Sequence, residues 1–358
     1  MGRNYDEAMA QLEQADTELA AALSKRAAAV KAAAKIRQDS PGEYFPRLGD
    51  EDCIRRVTEH VSGLPDKGVR AIVREVLSAS HALLEERRVV VVGGRGSFAH
   101  VAARSHFGAS TSYESAPSVG SALDELGRDS ASYVVLPLET STDGAVTATL
   151  TGLVRSEAHI CAEVTVDVVH HLWSSSGERG RVERIYGTRG SLAAAEGFVR
   201  REFPRATLHD TALGSVAADF AREDDKAAVI GPDVLAGDGL RVVVEGVDDE
   251  RGLSTRFAIV GKTLPSRTGR DRTVIAMAVG DTPGALYETL RPLAERGINL
   301  TRLESRPASG TAWRYLFFVE MDGHVTDRPI LTGLEELRGV SRHVRILGSY
   351  PRPTPRGE

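Results

Sequence analysis

The chain has 358 residues, of which 41% are hydrophobic and 27% are charged, and its net charge is −5. This length predicts two or three domains, and the acidic balance gives the protein no overall attraction to nucleic acid or anionic membranes. The two cysteines, Cys53 and Cys161, exclude a disulfide framework or a Cys-rich zinc site. Because no apolar run is long enough for a signal core or a membrane span, we expect a cytoplasmic protein.

The first predicted element is a long helix over residues 6–37, which lack Pro and Gly. Its apolar residues recur at helical spacing: Leu12, Ala15, Leu19, Leu23, Val30 and Ala34. Residues 50–60 and 67–87 predict two shorter helices. Since three such helices leave much apolar surface open, we expect two chains to intertwine. Arg26 and Arg37 project from one side of the long helix, either into a dianion pocket or as solvated residues at the edge.

This three-helix pattern resembles the all-helical class of chorismate mutase, which binds a dicarboxylate between its helices. The resemblance implies a mutase-like pocket of Arg26, Arg37, Asp50 and Ser80. An arginine and a glutamine of the family pattern fall here at about Met9 and Leu84. The reaction needs dense cationic complementarity to its substrate, so we expect weak or absent mutase activity and a retained role in dimerisation.

A glycine-rich turn follows the next predicted strand, residues 88–92. Residues 93–100 open a helix, an arrangement that presents backbone N–H groups to an anion. The spacing of Gly94 and Gly96 also fits a dinucleotide-binding fingerprint with Glu114 as its acidic partner, so an NAD-dependent dehydrogenase is an alternative. Against it, residues 109–115 have almost no apolar content and make a poor second Rossmann strand.

Predicted helices and strands alternate from residue 118 to residue 244, and the chain then returns through residues 252–261. This order predicts two α/β lobes with a cleft between them, as in periplasmic binding proteins. Thr255 and Arg256 stand at the start of the last apolar run. The threonine hydroxyl can donate a proton, and the guanidinium can hold a carboxylate through two hydrogen bonds.

This region resembles prephenate dehydratase. The matching stretches are residues 93–108, residues 133–139, Glu163-Val164-Thr165 and Thr255-Arg256-Phe257. The resemblance implies that Thr255 protonates the departing hydroxyl of a small dicarboxylate, without a cofactor or metal. The implied substrate-binding residues are Arg256, Phe257, Ser97, Glu139, Thr140 and Ser141. Departures from the family pattern at Thr140, Gly187-Thr188-Arg189, Ala212-Leu213-Gly214 and Leu253 indicate a reshaped cleft, for prephenate or a close analogue.

After a polar linker, residues 263–271, a β-α-β-β-α-β pattern covers residues 273–347. Its Gly-Ala-Leu and Glu-Ser-Arg-Pro motifs resemble those of the ACT domain attached to prephenate dehydratases. The resemblance implies a phenylalanine site between two protomers. The implied effector residues are Gly284, Ala285, Leu286, Asn299, Leu300, Glu304 and Ser305.

The order of the three parts resembles the bifunctional chorismate mutase–prephenate dehydratase family. We expect a multidomain protein with an all-α chorismate-mutase-like bundle (1–87), an α/β two-lobed periplasmic-binding-protein-like domain (88–262) and an α+β ferredoxin-like ACT domain (272–350). The expected function is a phenylalanine-regulated prephenate dehydratase that forms a homodimer or tetramer. A catalytically degenerate amino-acid sensor and a prephenate-type dehydrogenase are the alternatives.

Overall fold

The computed structural model describes residues 2–39, 50–84, 87–236, 239–280, 282–307 and 315–353. The chain divides into two compact units. The first comprises residues 1–87 and 106–112, and the second comprises residues 88–105 and 113–358.

The first unit contains the three predicted helices: α1 (Gly2–Asp39), α2 (Asp50–Thr58) and α3 (Asp66–Ala82). Ile54 of α2 packs with Val73 and Leu77 of α3 in a small buried core. Along α1, by contrast, the predicted apolar stripe remains open, and the side chains of Leu12 and Leu19 are more than half exposed (54% and 56%). The described residues of this unit therefore leave an apolar helix face uncovered.

The first lobe of the second unit is built around parallel strands with helices between them. Its elements are β1 (Arg88–Val92), α4 (Phe98–Phe107), β2 (Ser112–Ala116), α5 (Val119–Gly127), β3 (Tyr133–Thr140), β4 (Gly144–Ala145), α6 (Thr147–Arg155) and β5 (His159–Asp167). The polar segment 109–115 contributes a strand after all. Strand β2 lies at the sheet edge with only Ala116 buried, so it needs little apolar content.

The second lobe is a five-stranded sheet with the order β10-β6-β9-β7-β8. Its elements are β6 (His171–Ser174), β7 (Arg184–Gly187), α7 (Arg189–Ala194), α8 (Glu196–Glu202), β8 (Thr207–Asp210), α9 (Gly214–Glu223), β9 (Ala227–Gly231) and β10 (Arg241–Val244). Residues 189–202 form two helices, which meet at a break at Ala195. The Asp249 carboxylate accepts the N–H groups of Gly197 and Phe198 (2.7 and 2.8 Å), which starts α8 afresh.

Strand β11 (Ser254–Gly261) returns to the first lobe and pairs antiparallel with both β3 and β5. The β-α-β-β-α-β pattern predicted after it is present. It consists of β12 (Asp271–Ala278), α10 (Ala285–Glu295), β13 (Leu300–Pro307), β14 (Tyr315–Asp322), α11 (Arg328–Val340) and β15 (His343–Pro351).

The sheets on the two sides of the predicted linker join into one ten-stranded sheet. Nine strands follow the path β13-β14-β12-β15-β5-β11-β3-β1-β2, and β4 pairs with β3 off this path. The junction is a parallel contact in which Gly348 of β15 pairs with Ile160 of β5. A Cβ atom at Gly348 would lie 2.6 Å from the Ile160 carbonyl oxygen, so only glycine allows this approach. Leu347 and Tyr350 share one buried core with Ile160, which makes the junction part of the interior.

None of the described helices is both long enough and apolar enough to cross a bilayer.

Candidate active site and effector region

Thr255 lies where β11 enters the sheet, next to the segments that connect the two lobes. It pairs with Thr140 of β3 on one side and with Val166 of β5 on the other. The residue is 7% exposed. No described residue forms a hydrogen bond with its hydroxyl group, which leaves that group available to a ligand. Phe257, two residues on and on the same face, is 4% exposed and belongs to the buried core.

Ser141 and Thr140 shape the loop beside Thr255. The Ser141 hydroxyl accepts the Ser254 N–H (3.0 Å), and the Ser141 N–H donates to the Ser254 carbonyl oxygen (2.9 Å). The Thr140 hydroxyl accepts the Asp143 N–H (3.0 Å) and so closes the turn that follows β3. These two predicted binding residues therefore hold the loop against the start of β11.

The glycine-rich turn is organised by its own hydrogen bonds. Gly94 and Gly96 adopt left-handed conformations (φ 72° and 83°) that favour glycine. The Gly94 and Ser97 N–H groups donate to the carbonyl oxygens of Val91 and Gly94, and the Ser97 hydroxyl accepts the His100 N–H (3.2 Å). The expectation of a row of free N–H groups is therefore wrong for Gly94 and Ser97. Ser97 serves as the cap of α4.

The two lobes touch at glycines. A Cβ atom on Gly214, at the start of α9, would lie 3.0 Å from the Gly96 carbonyl oxygen of the glycine-rich turn. A Cβ atom on Gly96 would lie 2.9 Å from the Leu235 side chain of the second lobe. Gly214 is one of the departures from the family pattern, and its missing side chain allows this close contact between the lobes.

The connecting segments carry a buried hydrogen-bonded pair, His170 and Asp248, that the sequence did not reveal. His170 Nδ1 lies 2.5 Å from Asp248 Oδ1, and the His170 N–H donates to Asp248 Oδ2 (2.6 Å). The His170 ring also packs edge-on against Phe98 at the start of α4, with centroids 4.9 Å apart. Burial alone would raise the pKa of Asp248, but the hydrogen bonds from His170 outweigh it and lower that pKa.

Arg256 points to the opposite face of the sheet from Thr255. Its guanidinium donates to Glu139 (2.6 Å), Glu163 (2.5 Å) and Glu320 (3.1 Å). Glu139, predicted to bind substrate, also accepts a hydrogen bond from Arg302. We expected Arg256 to hold a substrate carboxylate. In the structure, three protein carboxylates already engage its donors.

These contacts belong to a larger cluster, the interdomain ion network, in which acidic and basic side chains alternate. Its members are Glu139, Glu163 and Arg256 before the linker, and Arg272, Arg302, Glu304, Arg306, Glu320 and Tyr350 after it. The Glu163 side chain is 1% exposed and accepts from Arg256, Arg272 (2.7 Å) and Tyr350 (2.7 Å). Four carboxylates thus face four guanidinium groups, which offsets the cost of burying each charge.

The ion network changes the acidity of its members. Burial would raise the pKa of Glu139, but hydrogen bonds from Arg302 and Arg256, together with their charges, hold that pKa below its usual value. The neighbouring carboxylates outweigh burial at Arg256 and raise its pKa. Burial first, and then the charges of Glu163 and Glu320, raise the pKa of Tyr350, so it remains a neutral hydrogen-bond donor.

In the helical unit the structure brings two of the four mutase-like residues together: the Arg26 guanidinium donates to the Ser80 hydroxyl. Arg37 and Asp50 lie in α1 and α2, but their side chains fall outside the described residues.

The predicted effector residues of the C-terminal domain lie at the two ends of helix α10 and on strand β13. Gly284 caps α10 in a left-handed conformation (φ 81°), and Ala285 and Leu286 begin that helix. Asn299 and Leu300 follow the other end of α10, which has 11 residues and so spans about 16 Å. On β13, Glu304 faces the ion network while Ser305 is exposed on the opposite face. Within one chain, these seven residues therefore do not form a single binding site.

Sequence reasoning missed the ion network, although a signal was present. Glu163 and Glu320 stand inside apolar runs that form buried strands, and an ionised side chain in such a position requires partners. The arginines that pair with these two glutamates are brought close by the junction between the two sheets. No short sequence motif predicts that junction.

Three family models match the chain, in the order that the sequence motifs indicated. Chorismate mutase type II matches residues 9–85, prephenate dehydratase matches residues 89–264, and the ACT domain matches residues 273–339. The dehydratase match covers the glycine-rich turn for which a nucleotide site was the alternative.

Similar proteins agree with these assignments. A bifunctional chorismate mutase/prephenate dehydratase of Aquifex aeolicus is 30% identical over 96% of each chain. A prephenate dehydratase of Amycolatopsis methanolica is 34% identical over 74% of this chain and 88% of its own. The crystal structure of prephenate dehydratase in complex with L-Phe from Arthrobacter aurescens has a TM-score of 0.65 and 31% identity, and it covers 74% of this chain and 90% of that chain.

These matches confirm the predicted architecture of a helical mutase-type domain, a two-lobed dehydratase domain and an ACT domain. Since a relative 30% identical is matched over nearly its whole length, with all three domains in the same order, the chain belongs to the bifunctional chorismate mutase/prephenate dehydratase family.

Proposed function

We propose that this protein converts prephenate to phenylpyruvate in the interlobe cleft. In this reaction the ring carboxylate leaves as carbon dioxide, and its bonding electrons enter the ring. The ring hydroxyl takes a proton from the Thr255 Oγ1 and departs as water, which completes the aromatic ring. Thr255 then recovers a proton from solvent. The chemistry needs a positioned acid in a site with little water.

One observation carries this proposal. Thr255 is nearly buried beside the segments that connect the lobes, and its hydroxyl has no hydrogen-bond partner among the described residues. A threonine committed to the fold would have such a partner, as Thr273 has in the Gly323 carbonyl oxygen (2.8 Å). Thr140 and Ser141 support the site by fixing the loop next to it.

The test is phenylpyruvate formation from prephenate by the full chain, followed by absorbance. Thr255→Ala removes the acid, and we expect kcat to fall by about 10²–10⁴-fold. Thr255→Ser keeps a hydroxyl at the same position and is the matched control, with a smaller loss expected. Full turnover by Thr255→Ala would contradict the proposed acid. A wild-type protein that binds phenylalanine without turning over prephenate would instead support the alternative of an amino-acid sensor.

We infer that mutase activity is weak or absent. Arg26 and Ser80 supply one cation and one hydroxyl, while Met9 and Leu84 stand where the family pattern has further polar groups. Formation of prephenate from chorismate by the full chain tests this inference directly. Turnover at a rate comparable to that of the dehydratase step would contradict it.

We further infer that phenylalanine is the effector and binds between two protomers of a cytoplasmic homodimer or tetramer. The similar prephenate dehydratase of known structure is a complex with L-Phe. The separation of Gly284 from Asn299 by the length of α10 supports a site that a second chain completes. A calorimetric titration with phenylalanine tests binding, and Gly284→Val, which is strained at φ 81°, should weaken it.

A further inference from the structure

The interdomain ion network contacts strands β11 and β3 on the face opposite to the proposed active site. In β11, Thr255 lies on the face of the sheet that carries the proposed active site, whereas the next residue, Arg256, lies on the other face and contacts Glu320 of β14. Neighbouring β3 repeats the arrangement: Thr140 pairs with Thr255, and the preceding residue, Glu139, contacts Arg302 of β13. Successive side chains of a strand point to opposite faces of the sheet. Each of these two strands therefore carries a threonine of the proposed active site next to a charged residue that contacts the ACT domain.

A third link runs to the loop beside Thr255. Arg306 donates to the Ala145 carbonyl oxygen (3.0 Å) in β4, which pairs with the end of β3. Arg302 and Arg306 are both held by Glu304, which lies between them on β13 (3.0 and 2.6 Å). These three residues therefore move with β13 as a group.

β13 is the edge strand of the ten-stranded sheet and carries the Glu-Ser-Arg-Pro motif. Its network face holds Arg302, Glu304 and Arg306, and the alternate residues, including Ser305, are exposed. An effector that contacts the exposed face acts on the same backbone that presents the two arginines to Glu139 and Ala145. Buried ion pairs tolerate little change in geometry, because a charge that loses its partner stays desolvated.

We propose that Arg256 is a positioning residue, which connects β13 of the ACT domain to Thr255 through Glu139 and Glu320 and does not bind the substrate itself. This inference rests on the proposed dehydratase function and names the route by which its effector acts. A shift of β13 changes the partners of Glu139 and Arg256, and thereby the position of the Thr255 hydroxyl in the cleft.

The experiment compares the full chain with Arg302→Gln, which breaks the link from β13 to Glu139. Prephenate turnover is measured with and without phenylalanine, and phenylalanine binding is measured by calorimetry. We expect the variant to keep its phenylalanine affinity but to lose the change in kcat/KM that phenylalanine causes. Arg338→Gln, at an exposed position of α11, is the matched control and should respond like the wild type. An undiminished response in Arg302→Gln would overturn the inference.

A second variant separates positioning from substrate binding. Arg256→Lys keeps the charge but loses the planar fork that engages three carboxylates. We expect kcat to fall about tenfold or more while KM stays within about threefold, as for a residue that acts only on the position of the acid. A rise in KM with unchanged kcat would show direct substrate binding and overturn the assignment.

If the wild-type protein does not convert prephenate, the proposed function fails, and hydrogen exchange then decides the coupling. A phenylalanine-dependent change of exchange in residues 251–261 that Arg302→Gln abolishes would support the inference. No change in the wild-type protein would overturn it.

Discussion

Arg256 and Glu139 form a 2.6 Å ion pair across strands β11 and β3, on the face of the sheet that turns away from the proposed active site. Both residues stand in motifs that resemble those of the dehydratase family, and the resemblance implies that they bind substrate. Their pairing instead joins the two strands that carry Thr255 and Thr140 on the opposite face of the sheet. Arg256 and Glu139 therefore stabilise the sheet behind the proposed active site.

The pH dependence of stability should report on Glu139. The pKa of this carboxyl is lowered in the folded protein, so its ionised form stabilises the fold above its unfolded pKa, and this contribution disappears as the pH falls through the folded pKa. We expect the melting temperature of Glu139→Gln to lie below that of the wild type near neutral pH. The difference should shrink as the pH falls below about 4.5, the ordinary pKa of the carboxyl, toward the lower pKa of the folded protein.

Glu196→Gln is the control for this measurement, because Glu196 forms an exposed pair with Arg200 on α8. Exposed pairs contribute little, so its difference from the wild type should be small and nearly independent of pH. A Glu139→Gln curve parallel to that of the wild type would contradict the prediction, because it would show that ionisation of this carboxyl does not affect stability.

Gly348→Ala should weaken the junction between the dehydratase and ACT sheets. The new Cβ atom would meet the Ile160 carbonyl oxygen at 2.6 Å, so the strands must separate, at a cost of about 1–3 kcal/mol. Thermal unfolding measures the loss. Gly339→Ala in α11 is the control, since a Cβ atom there meets nothing within 4 Å, and it should leave stability unchanged or slightly higher. Equal melting temperatures of both variants would argue against a tight junction.

The buried pair of His170 and Asp248 should matter to stability. Replacing His170 by Leu removes the ring that partners the buried Asp248 carboxylate, although the backbone N–H at position 170 still donates to it, and we expect a loss of about 3 kcal/mol. Replacing both residues by Leu removes the stranded charge and should recover part of that loss. Denaturant unfolding of both variants checks the prediction, which fails if the double variant is less stable than the single one.

The exposed stripe of α1 predicts self-association. Leu12→Glu and Leu19→Glu place charges on the uncovered apolar face, and each should weaken association by about tenfold or more. Sedimentation velocity at several concentrations gives the measurement. Ala21→Glu, exposed on another side of α1, is the matched control. Unchanged sedimentation of the Leu variants would show that the stripe is not an interface.

Much of the fold could be predicted because local patterns carry it. The long helix α1 and strand β1 agree with their predicted positions within a few residues, since periodicity and apolar runs are local properties. The break at Ala195 could not be predicted, because the capping carboxylate of Asp249 comes from a distant segment. For the same reason motifs identified Thr255, whereas the partners of Arg256 depend on how two sheets meet.

The Gly348–Ile160 junction has a consequence for how this protein evolves. A chain shortened to its first 262 residues would leave β5 with an unpaired backbone edge and would uncover apolar residues that now pack on Leu347 and Tyr350. The ACT domain thus also covers the edge of the dehydratase domain. Substitutions in the ACT domain must preserve this contact and the burial of its apolar residues, which narrows the substitutions open to selection.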